Sequence, residues 1–546
     1  MAHLVSYPLQ PRQKTNEGGE SDQIHDQSSR LPFHRLMIAY TCLAFIFFIS
    51  YFDVNSVSTA LPAISHSLDA GNTITWTGTA YLLGQTVFQP LYGRLSDIFG
   101  RKPVLMICIS FLIFGDILCG FAQNMIWLYT CRALSGIGGG GISSLVSIIV
   151  SDLVSLKERG KYQGMLSAAI GLGSSTGPFI AAALLRDPEG WRWTFWVSPI
   201  LAAGCMVLTW IFLPLKPVVG SWREKMAKID WLGIFTAVTG IVFLLVPINS
   251  GGSTFPWNSP LVISMLTIGG LFCILFGFIE KRLARIPIIP SRLFSDKSTT
   301  ALYFQSLLYA WVWHADLYFI PIYFQDVRGY TPLQSATFIL PLLLFQSIFG
   351  VISGPIMTKL ERFGPVLYSG MALWTVGAGL KVLFAQTTPV AIYVVVLAIE
   401  GAGAGFIMQP ALVALQALSR PEDRAVATST RNLMRMLGAT AGLAVSTAIR
   451  FEVTTSALPD NIPPSIRDQL IQSEGSWANG TPGFEEWDSV MFDAKTKGVN
   501  AVFITMAPLL GLCLLSCYFV PNIVLKGDPE TSDDKEERTL DNRNTP

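Results

Sequence analysis

The sequence predicts an all-α membrane protein with about fourteen transmembrane helices. Apolar segments of about 20 residues, the length that crosses the hydrocarbon core of a bilayer, recur along most of the chain. Of the 546 residues, 51% are hydrophobic and only 14% are charged, whereas an average soluble domain carries about 25% charged residues. Basic residues also fall in alternate loops between the apolar segments. The composition excludes a soluble enzyme, and the sequence shows no catalytic constellation.

The apolar segments place the helices in order along the chain. Predicted helices 1–14 cover about residues 37–61, 75–93, 103–122, 126–150, 162–185, 194–213, 231–249, 260–279, 300–321, 332–354, 366–386, 390–412, 429–449 and 499–521. Helices 5 and 13 are the least hydrophobic and are rich in small residues, which let helix backbones approach closely. The terminal segments 1–36 and 523–546 are polar and predict disordered cytoplasmic tails.

The loop charges set the orientation. Bases cluster after helices 2, 4, 6, 8, 10 and 12, beginning at Arg94, Lys157, Lys216, Lys281, Lys359 and Arg420. Loops on the other side are poor in bases, and the long loop 451–498 is acidic. Under the positive-inside rule, both termini are cytoplasmic and loop 451–498 is extracytoplasmic. Asn479 in this loop begins an Asn-Gly-Thr acceptor pattern for N-glycosylation, although Pro482 disfavours its occupancy.

The chain divides into two halves of six helices. The N-terminal bundle is predicted at 37–213, a linker with two extra helices at 214–298, and the C-terminal bundle at 299–522. The segment after helix 10 weakly echoes the segment after helix 2, with Glu361 aligned to Asp97. Two parallel repeats of this kind place a ligand site between them, near the middle of the membrane.

Residues 93–102 form a long ordered pattern, Gly-Arg-Leu-Ser-Asp-Ile-Phe-Gly-Arg-Lys. An acidic residue among bases at the cytoplasmic ends of helices 2 and 3 can form a charge network that holds one closed state and releases in another. The alternative is that the bases only fix the topology. We favour a gate largely because of the family resemblance given below, and also because Asp97 and the paired glycines are not needed for topology. The candidate gating residues are Gly93, Arg94, Asp97, Gly100, Arg101 and Lys102.

Glycine and proline shape helices 4 and 5. In helix 5, Gly171, Gly173, Gly177 and Pro178 remove side chains and one backbone hydrogen bond, which predicts a kinked and closely packed helix. Helix 4 carries a run of glycines at 138–141. No Walker lysine follows this run, and it lies inside a membrane helix, so the pattern disfavours a phosphate-binding loop.

Charged side chains inside the predicted helices are the sharpest signal, because a charge in the bilayer interior is costly and usually marks an ion or substrate path. The candidates are Asp53, Asp116, Arg132, His314, Asp316 and Glu400. The alternative is a set of buried pairs that only hold helices together. Residues two apart on a helix do not share a face, so we expect one of His314 and Asp316 to line a cavity and the other not.

A count along the helices places three of these groups at one depth. At 1.5 Å per residue, Asp53, Arg132 and Asp116 lie about 24, 21 and 20 Å from the inner face. We expect Arg132 to hold Asp53 ionised in one state and to separate from it in another. A buried carboxylate that loses its cation takes up a proton. Asp53 is therefore the predicted proton-coupling residue, and Asp116 shares or tunes this role.

The 93–102 pattern resembles the loop 2–3 signature of the major facilitator superfamily. Residues 132–138 and 171–178 are similar to the family's helix 4 signature and to the helix 5 signature that marks antiporters. Asp53, followed by Ala-Leu-Pro at 60–62, resembles helix 1 of the fourteen-helix drug:proton antiporters, including their fungal members. One departure is Ala-Ala at 181–182, where the family usually has two glycines.

The resemblance covers about residues 37–522. It implies the major facilitator fold, with two six-helix bundles plus two extra central helices. The leading hypothesis is export of a hydrophobic or cationic small molecule, such as a drug, toxin or secondary metabolite, in exchange for protons by alternating access. One alternative is a siderophore or basic amino-acid carrier of the same fold. Another is a non-transporting membrane sensor, which the short tails disfavour.

The remaining expectations concern partners and location. The net charge of +1 gives no indication of a nucleic-acid partner. The eight cysteines lie in apolar stretches without a CxxC pair, so we expect no metal and no cofactor. The expected partners are protons, a small-molecule substrate and the lipid bilayer, with the protein as a monomer. The plasma membrane is favoured over the vacuolar membrane.

Overall fold

The computed structural model describes residues 32–68, 73–74, 76–187, 189–215, 218, 220–251, 255–385, 387–459 and 488–525. The described part contains fourteen helices of seven residues or more. They are α1 (Phe33–Ser67), α2 (Trp76–Phe99), α3 (Arg101–Gly120), α4 (Met125–Leu153), α5 (Leu156–Leu184), α6 (Gly190–Phe212), α7 (Trp231–Ser250), α8 (Pro260–Arg282), α9 (Lys297–Ile322), α10 (Pro332–Leu360), α11 (Gly364–Leu380), α12 (Val390–Leu418), α13 (Arg424–Ser456) and α14 (Asp488–Ser516). A short helix, Trp222–Ala227, precedes α7.

Each predicted segment corresponds to one of these helices, so the all-α architecture is confirmed. The largest differences are at the ends of the last two helices. Helix α13 begins at Arg424 rather than near 429 and ends at Ser456, and α14 begins at Asp488 rather than near 499. Because the residues at these helix ends are polar, a prediction based on apolar segments does not include them. The acceptor Asn479 and most of both predicted tails lie outside the described residues.

Side-chain caps explain why several helices begin where they do. The Asn124 side chain accepts a hydrogen bond from the Trp127 amide at the start of α4. Ser259 caps α8 in the same way, with proline in the first turn. At α10, Thr331 and Gln334 form a reciprocal capping box, again with proline in the first turn. Each cap satisfies a backbone N–H that has no partner within its helix.

Eleven of the described helices are long and apolar enough to cross a membrane. Helices α2, α9 and α13 do not meet this measure, although they pack among the other helices. Their polar residues are turned inward. In α13 the whole segment 425–433 is buried, including Thr428, Arg431 and Asn432. These helices therefore contribute polar groups to the protein interior.

Helices α1–α6 and α9–α14 pack in the same arrangement. Helix α1 packs on α5 and α6, as α9 packs on α13 and α14. Helix α4 lies against α2 and α3, as α12 lies against α10 and α11. Each group has its own apolar core, built on residues such as Ile46 and Leu145 in the first and Trp374 and Leu397 in the second. Each helix of the first bundle thus has an equivalent helix in the second, and residues on equivalent helices can be compared.

Most contacts between the bundles come from two helix pairs, α5 with α10 and α2 with α13. Near the end that carries the 93–102 loop, Ser151 donates a hydrogen bond of 2.8 Å to Gln416, and Lys157 forms an ion pair with Glu361. Helix α7 covers the second seam, where Ile241 and Leu245 pack with Val87 of α2 and Leu433 of α13. The bundles are therefore closed at the predicted cytoplasmic end.

Helices α5 and α10 meet through glycine. Gly160 and Gly164 of α5 face Gly350 and Gly354 of α10. A Cβ atom added at Gly164 would lie 3.0 Å from the Gly350 carbonyl oxygen, and one added at Gly354 would overlap the Gly160 carbonyl. The two backbones are thus in direct contact, a distance that larger residues do not allow.

Candidate functional site

Arg132 joins three helices in the interior of the first bundle. Its Nη1 atom on α4 lies 3.0 Å from Oδ2 of Asp53 on α1 and 3.4 Å from Oδ1 of Asp116 on α3. Both carboxylates are fully buried, and Asp116 also accepts a 2.6 Å hydrogen bond from Ser135. The groups that share one depth by sequence are therefore in contact. We call Asp53, Asp116 and Arg132 the N-terminal triad.

Aromatic rings and glycines position this triad. The Arg132 guanidinium lies 4.4 Å from the centre of the Tyr81 ring, a cation–π distance. A Cβ atom at Gly136 would overlap the Tyr81 carbonyl oxygen, and one at Gly138 would overlap the backbone of Leu112. The glycine-rich stretch of α4 therefore lets α2 and α3 approach closely enough to surround the arginine.

The charges of the N-terminal triad do not balance when all three groups are ionised, since two carboxylates face one guanidinium. Within the described part of the chain, Oδ1 of Asp53 and Oδ2 of Asp116 are buried and have no hydrogen-bond partner. A net charge in such a site is costly. One proton shared by the two carboxylates makes the triad neutral, and the unpartnered oxygens are where it can reside.

The second bundle contains a corresponding triad. Lys381, directly after α11, donates a hydrogen bond to Asp316 of α9, and its Nζ lies 2.9 Å from Oε1 of Glu400 on α12. All three side chains are fully buried. We call Asp316, Lys381 and Glu400 the C-terminal triad. The candidate charges predicted from the sequence include both carboxylates but not Lys381, although Lys381 lies within predicted helix 11.

The two triads occupy equivalent helices. The N-terminal triad uses the first, third and fourth helices of its bundle, and the C-terminal triad uses the first, the end of the third and the fourth of its own. Both contain two carboxylates and one cation. The cation lies on the fourth helix in the first bundle and after the third helix in the second. The two triads thus have the same formal charge, although the cation comes from a different position in each bundle.

His314 and Asp316 have different surroundings. Asp316 points into the C-terminal triad. His314 is only partly buried and lies with Nδ1 2.8 Å from the Ala310 carbonyl oxygen of its own helix. Among the described residues, the ion pairs of the triad do not include His314.

Three of the candidate gating residues, Arg94, Asp97 and Arg101, form a network centred on Asp97. Its carboxylate lies 2.6 Å from Arg101 and 3.7 Å from Arg94. Arg101 also binds Asp152 at the end of α4, at 2.9 Å, a partner that sequence analysis did not identify. Lys102 instead donates to the backbone carbonyls of the α6 end. The network joins α2, α3 and α4 at the closed end of the bundles.

The helix 5 glycines contact two different neighbours. A Cβ atom at Gly173 would lie 2.5 Å from the Phe48 carbonyl oxygen, and one at Gly177 would lie 2.7 Å from that of Phe52. Both glycines thus hold α5 against the turn of α1 that carries Asp53. Gly171 instead faces Ser347 of α10, across the bundle interface. Pro178 lies within the same helix.

Two arginines of α13 were not selected from the sequence. Arg431 is 2% exposed and donates from Nη2 to the Tyr309 hydroxyl at 2.7 Å and to the Met408 carbonyl at 2.6 Å. Arg435 is partly buried one turn further along. Their four-residue spacing within an otherwise uncharged stretch was the available signal.

The chain is similar to known transporters over most of its length. A family model described as Major Facilitator Superfamily matches residues 43–443. Citrate exporter 1 of Yarrowia lipolytica is 42% identical over 499 residues, which are 91% of this chain and 74% of that protein. MFS-type transporter clz4 of Cochliobolus lunatus is 35% identical, over 91% of this chain and 87% of that one. Efflux pump dotC of Dothistroma septosporum is 34% identical, over 74% of this chain and 70% of that protein.

Solved structures show the same fold. The human organic anion transporter MFSD10 aligns with a TM-score of 0.58 at 16% identity, covering 90% of this chain and 100% of that one. The proton:xylose symporter XylE aligns with a TM-score of 0.58 at 14% identity, covering 90% of this chain and 98% of that one. At these identities the likeness concerns the fold alone.

Proposed function

The chain belongs to the major facilitator superfamily, and we propose that it exports a small organic molecule in exchange for protons by alternating access. It is an integral membrane protein and a secondary transporter, not an enzyme. The direction of transport, the coupling to protons and the substrate are our proposals. The observation that carries the proton coupling is the N-terminal triad, in which Arg132 contacts both Asp53 and Asp116.

The triad provides a site for one proton. With Arg132 paired to both carboxylates, a single proton on Asp53 or Asp116 leaves the site neutral. A movement of α1 relative to α4 lengthens the Asp53–Arg132 contact and favours protonation of Asp53. The return movement restores the pair, and the proton leaves when the site opens to water, because water stabilises the net charge of −1 that remains on the two carboxylates and Arg132. Proton binding thereby follows the conformation of the bundle, which is the requirement for an exchanger.

The glycine contacts support this step mechanically. Gly173 and Gly177 hold α5 directly against the segment of α1 next to Asp53. Gly171 of the same helix contacts α10 of the other bundle. A rearrangement at the bundle interface therefore reaches Asp53 through one helix.

The Asp97 network supports a gate at the predicted cytoplasmic end. Asp97 and Arg101 join α2 to α3, and Asp152 extends the contact to α4. These ties make the ends of the three helices move together. Opening toward the cytoplasm then requires breaking the cross-bundle contacts, including that of Lys157 with Glu361. Weakening the network should therefore change the balance between the open and closed states.

Structural features favour some classes of substrate over others. A hydrophobic molecule is supported by the partly exposed ring of Trp313, which packs edge-on against the buried Trp374. A cationic molecule is less well supported, because Lys381 already contacts both Asp316 and Glu400. One relative is named an efflux pump and another a citrate exporter. We therefore consider both an amphiphilic compound and an organic acid as cargo, exported across the plasma membrane.

The test is flux in proteoliposomes with an imposed pH gradient, using a panel of neutral, cationic and anionic compounds. We expect at least one class to move faster with the gradient than without it. The Asp53→Asn variant should lose this stimulation, whereas Asp187→Asn, which removes an exposed carboxylate, should keep it. Flux that is indifferent to the gradient for every compound would refute proton exchange.

A further inference from the structure

We propose that Arg431 and Arg435 form an anion-binding site between the bundles, and that the exported molecule is an organic anion with two or more carboxylate groups. The proposal rests on the proposed transport function for its cargo. Binding to the site can nevertheless be tested without transport.

The two arginines lie at the level expected for a substrate site. They are four residues apart on α13 and therefore share one face of the helix. Measured from the start of α13 at Arg424, they lie about 10 and 16 Å along the helix axis. Helix α13 has 33 residues and is therefore about 50 Å long, so Arg435 lies about 8 Å from the midpoint of the helix. A ligand bound there would be accessible to both bundles.

Groups from both bundles face the pair. Asn432, next to Arg431 on α13, donates a 3.0 Å hydrogen bond to Ser144 of α4, so this turn of α13 contacts the first bundle. From the second bundle, the Tyr309 hydroxyl of α9 and the Met408 carbonyl of α12 accept hydrogen bonds from Arg431. These partners are a hydroxyl group and a carbonyl, not a carboxylate. The site thus combines two cations with neutral hydrogen-bonding groups.

The positive charge is not compensated. Within the described residues, neither arginine has a carboxylate within ion-pair distance. The Nε atoms of Arg431 and Arg435 are buried without a hydrogen-bond partner. The buried carboxylates of the two triads already contact Arg132 and Lys381. Two unpaired guanidinium groups in a membrane interior therefore require a counter-charge from a ligand.

The geometry indicates the class of ligand. A guanidinium group presents parallel N–H donors that match the two oxygens of a carboxylate. Two such groups, one turn apart, fit an anion with at least two carboxylates on a short skeleton. The Tyr309 hydroxyl, which accepts from Arg431, can itself donate to a polar group on that skeleton.

A binding experiment tests the site directly. The full-length protein in detergent is heated in the presence of succinate, citrate or the uncharged analogue succinamide, at constant ionic strength set with sodium chloride. We expect succinate or citrate to raise the unfolding temperature in a saturable way, and succinamide to have no effect. The Arg435→Gln variant should bind the anions at least about tenfold more weakly. The control Arg420→Gln removes the same charge from an exposed position and should bind normally.

Arg435→Lys guards against a simple folding defect, because it keeps the charge but loses the paired donors, and it should bind with intermediate affinity. The proposal is overturned if neither anion stabilises the wild-type protein, or if Arg435→Gln binds them as tightly as wild type does. Transport then separates the two proposals. Flux of amphiphiles without anion binding refutes the anion site and leaves proton exchange intact. Anion binding that depends on Arg435, with no gradient-driven flux, refutes proton exchange and leaves the site intact.

Discussion

The Arg132 guanidinium lies 3.0 Å from the Asp53 carboxylate, with both side chains buried between α1 and α4. This contact links two helices of the first bundle that are far apart in the sequence. Asp116 completes the group from α3 at 3.4 Å. Because one cation serves two carboxylates, removing either carboxylate changes the number of protons that the site can hold.

The Asp53→Asn variant is expected to separate transport from its driving force. The amide cannot exchange a proton, so the stimulation of flux by a pH gradient should disappear, while exchange of substrate without a gradient should continue. Proteoliposome flux under both conditions measures this difference. If gradient-driven flux survives, Asp53 is not the coupling residue and Asp116→Asn becomes the variant to examine.

The Asp97→Asn variant is expected to reduce transport several-fold while the protein remains folded and in the membrane. Loss of the carboxylate charge removes the partner of Arg101 at 2.6 Å and of Arg94 at 3.7 Å. Lys102→Gln is the matched comparison, because Lys102 contacts backbone carbonyls rather than Asp97. Flux and surface expression are measured together. Undiminished flux in Asp97→Asn would leave the 93–102 pattern as a topology signal only.

Replacing Lys381 by Met is expected to destabilise the second bundle by about 3–5 kcal/mol, because Asp316 and Glu400 would remain buried without their cation. Thermal unfolding in detergent measures the effect. Adding Glu400→Gln to Lys381→Met should recover part of the loss, since one buried charge is removed. A double variant no more stable than Lys381→Met would show that the charges are not the cause.

The Gly354→Ala variant is expected to weaken the closed end of the bundles. The added methyl group overlaps the Gly160 carbonyl, and overpacking of this kind costs about 1–3 kcal/mol. Disulfide formation between cysteines introduced at positions 157 and 361 reports the closed state, and it should slow in Gly354→Ala. Gly379→Ala, where nothing lies within 4 Å of the added atom, should leave it unchanged. Equal rates in both variants would argue against a tight glycine contact.

The predicted topology places both termini in the cytoplasm and loop 451–498 outside. Tags inserted at residue 1 and near residue 475 should therefore react with impermeant reagents from opposite sides of the membrane. A tag near residue 475 that is reached only from the cytoplasmic side would overturn this orientation.

The helices could be predicted from the sequence because each is marked by a long apolar segment. The common depth of Asp53, Asp116 and Arg132 could be predicted by counting residues, since depth along a helix follows from 1.5 Å per residue. Counting gives no information on which way a side chain faces. For this reason Arg431 and Arg435 were not selected, although they lie within predicted helix 13.

The partners of known motifs were equally hard to predict. Asp152 lies far from Arg101 in the sequence, and only the packing of α3 against α4 brings them within 2.9 Å. Lys381 lies within the predicted span but near its outer end, where a lysine often reaches the membrane surface. In the structure it is instead fully buried between Asp316 and Glu400. Long-range pairs of this kind depend on the tertiary fold.

The glycine contact between α5 and α10 has a consequence for the speed of the conformational cycle. When two surfaces of long side chains separate, each chain regains rotamer freedom, and it must lose that freedom again on closure. Gly160, Gly164, Gly350 and Gly354 have no side chains to reorder. At these four positions the seam can part and rejoin with little change in side-chain entropy, so the ordering of side chains on closure is confined to neighbours such as Lys157 and Glu361.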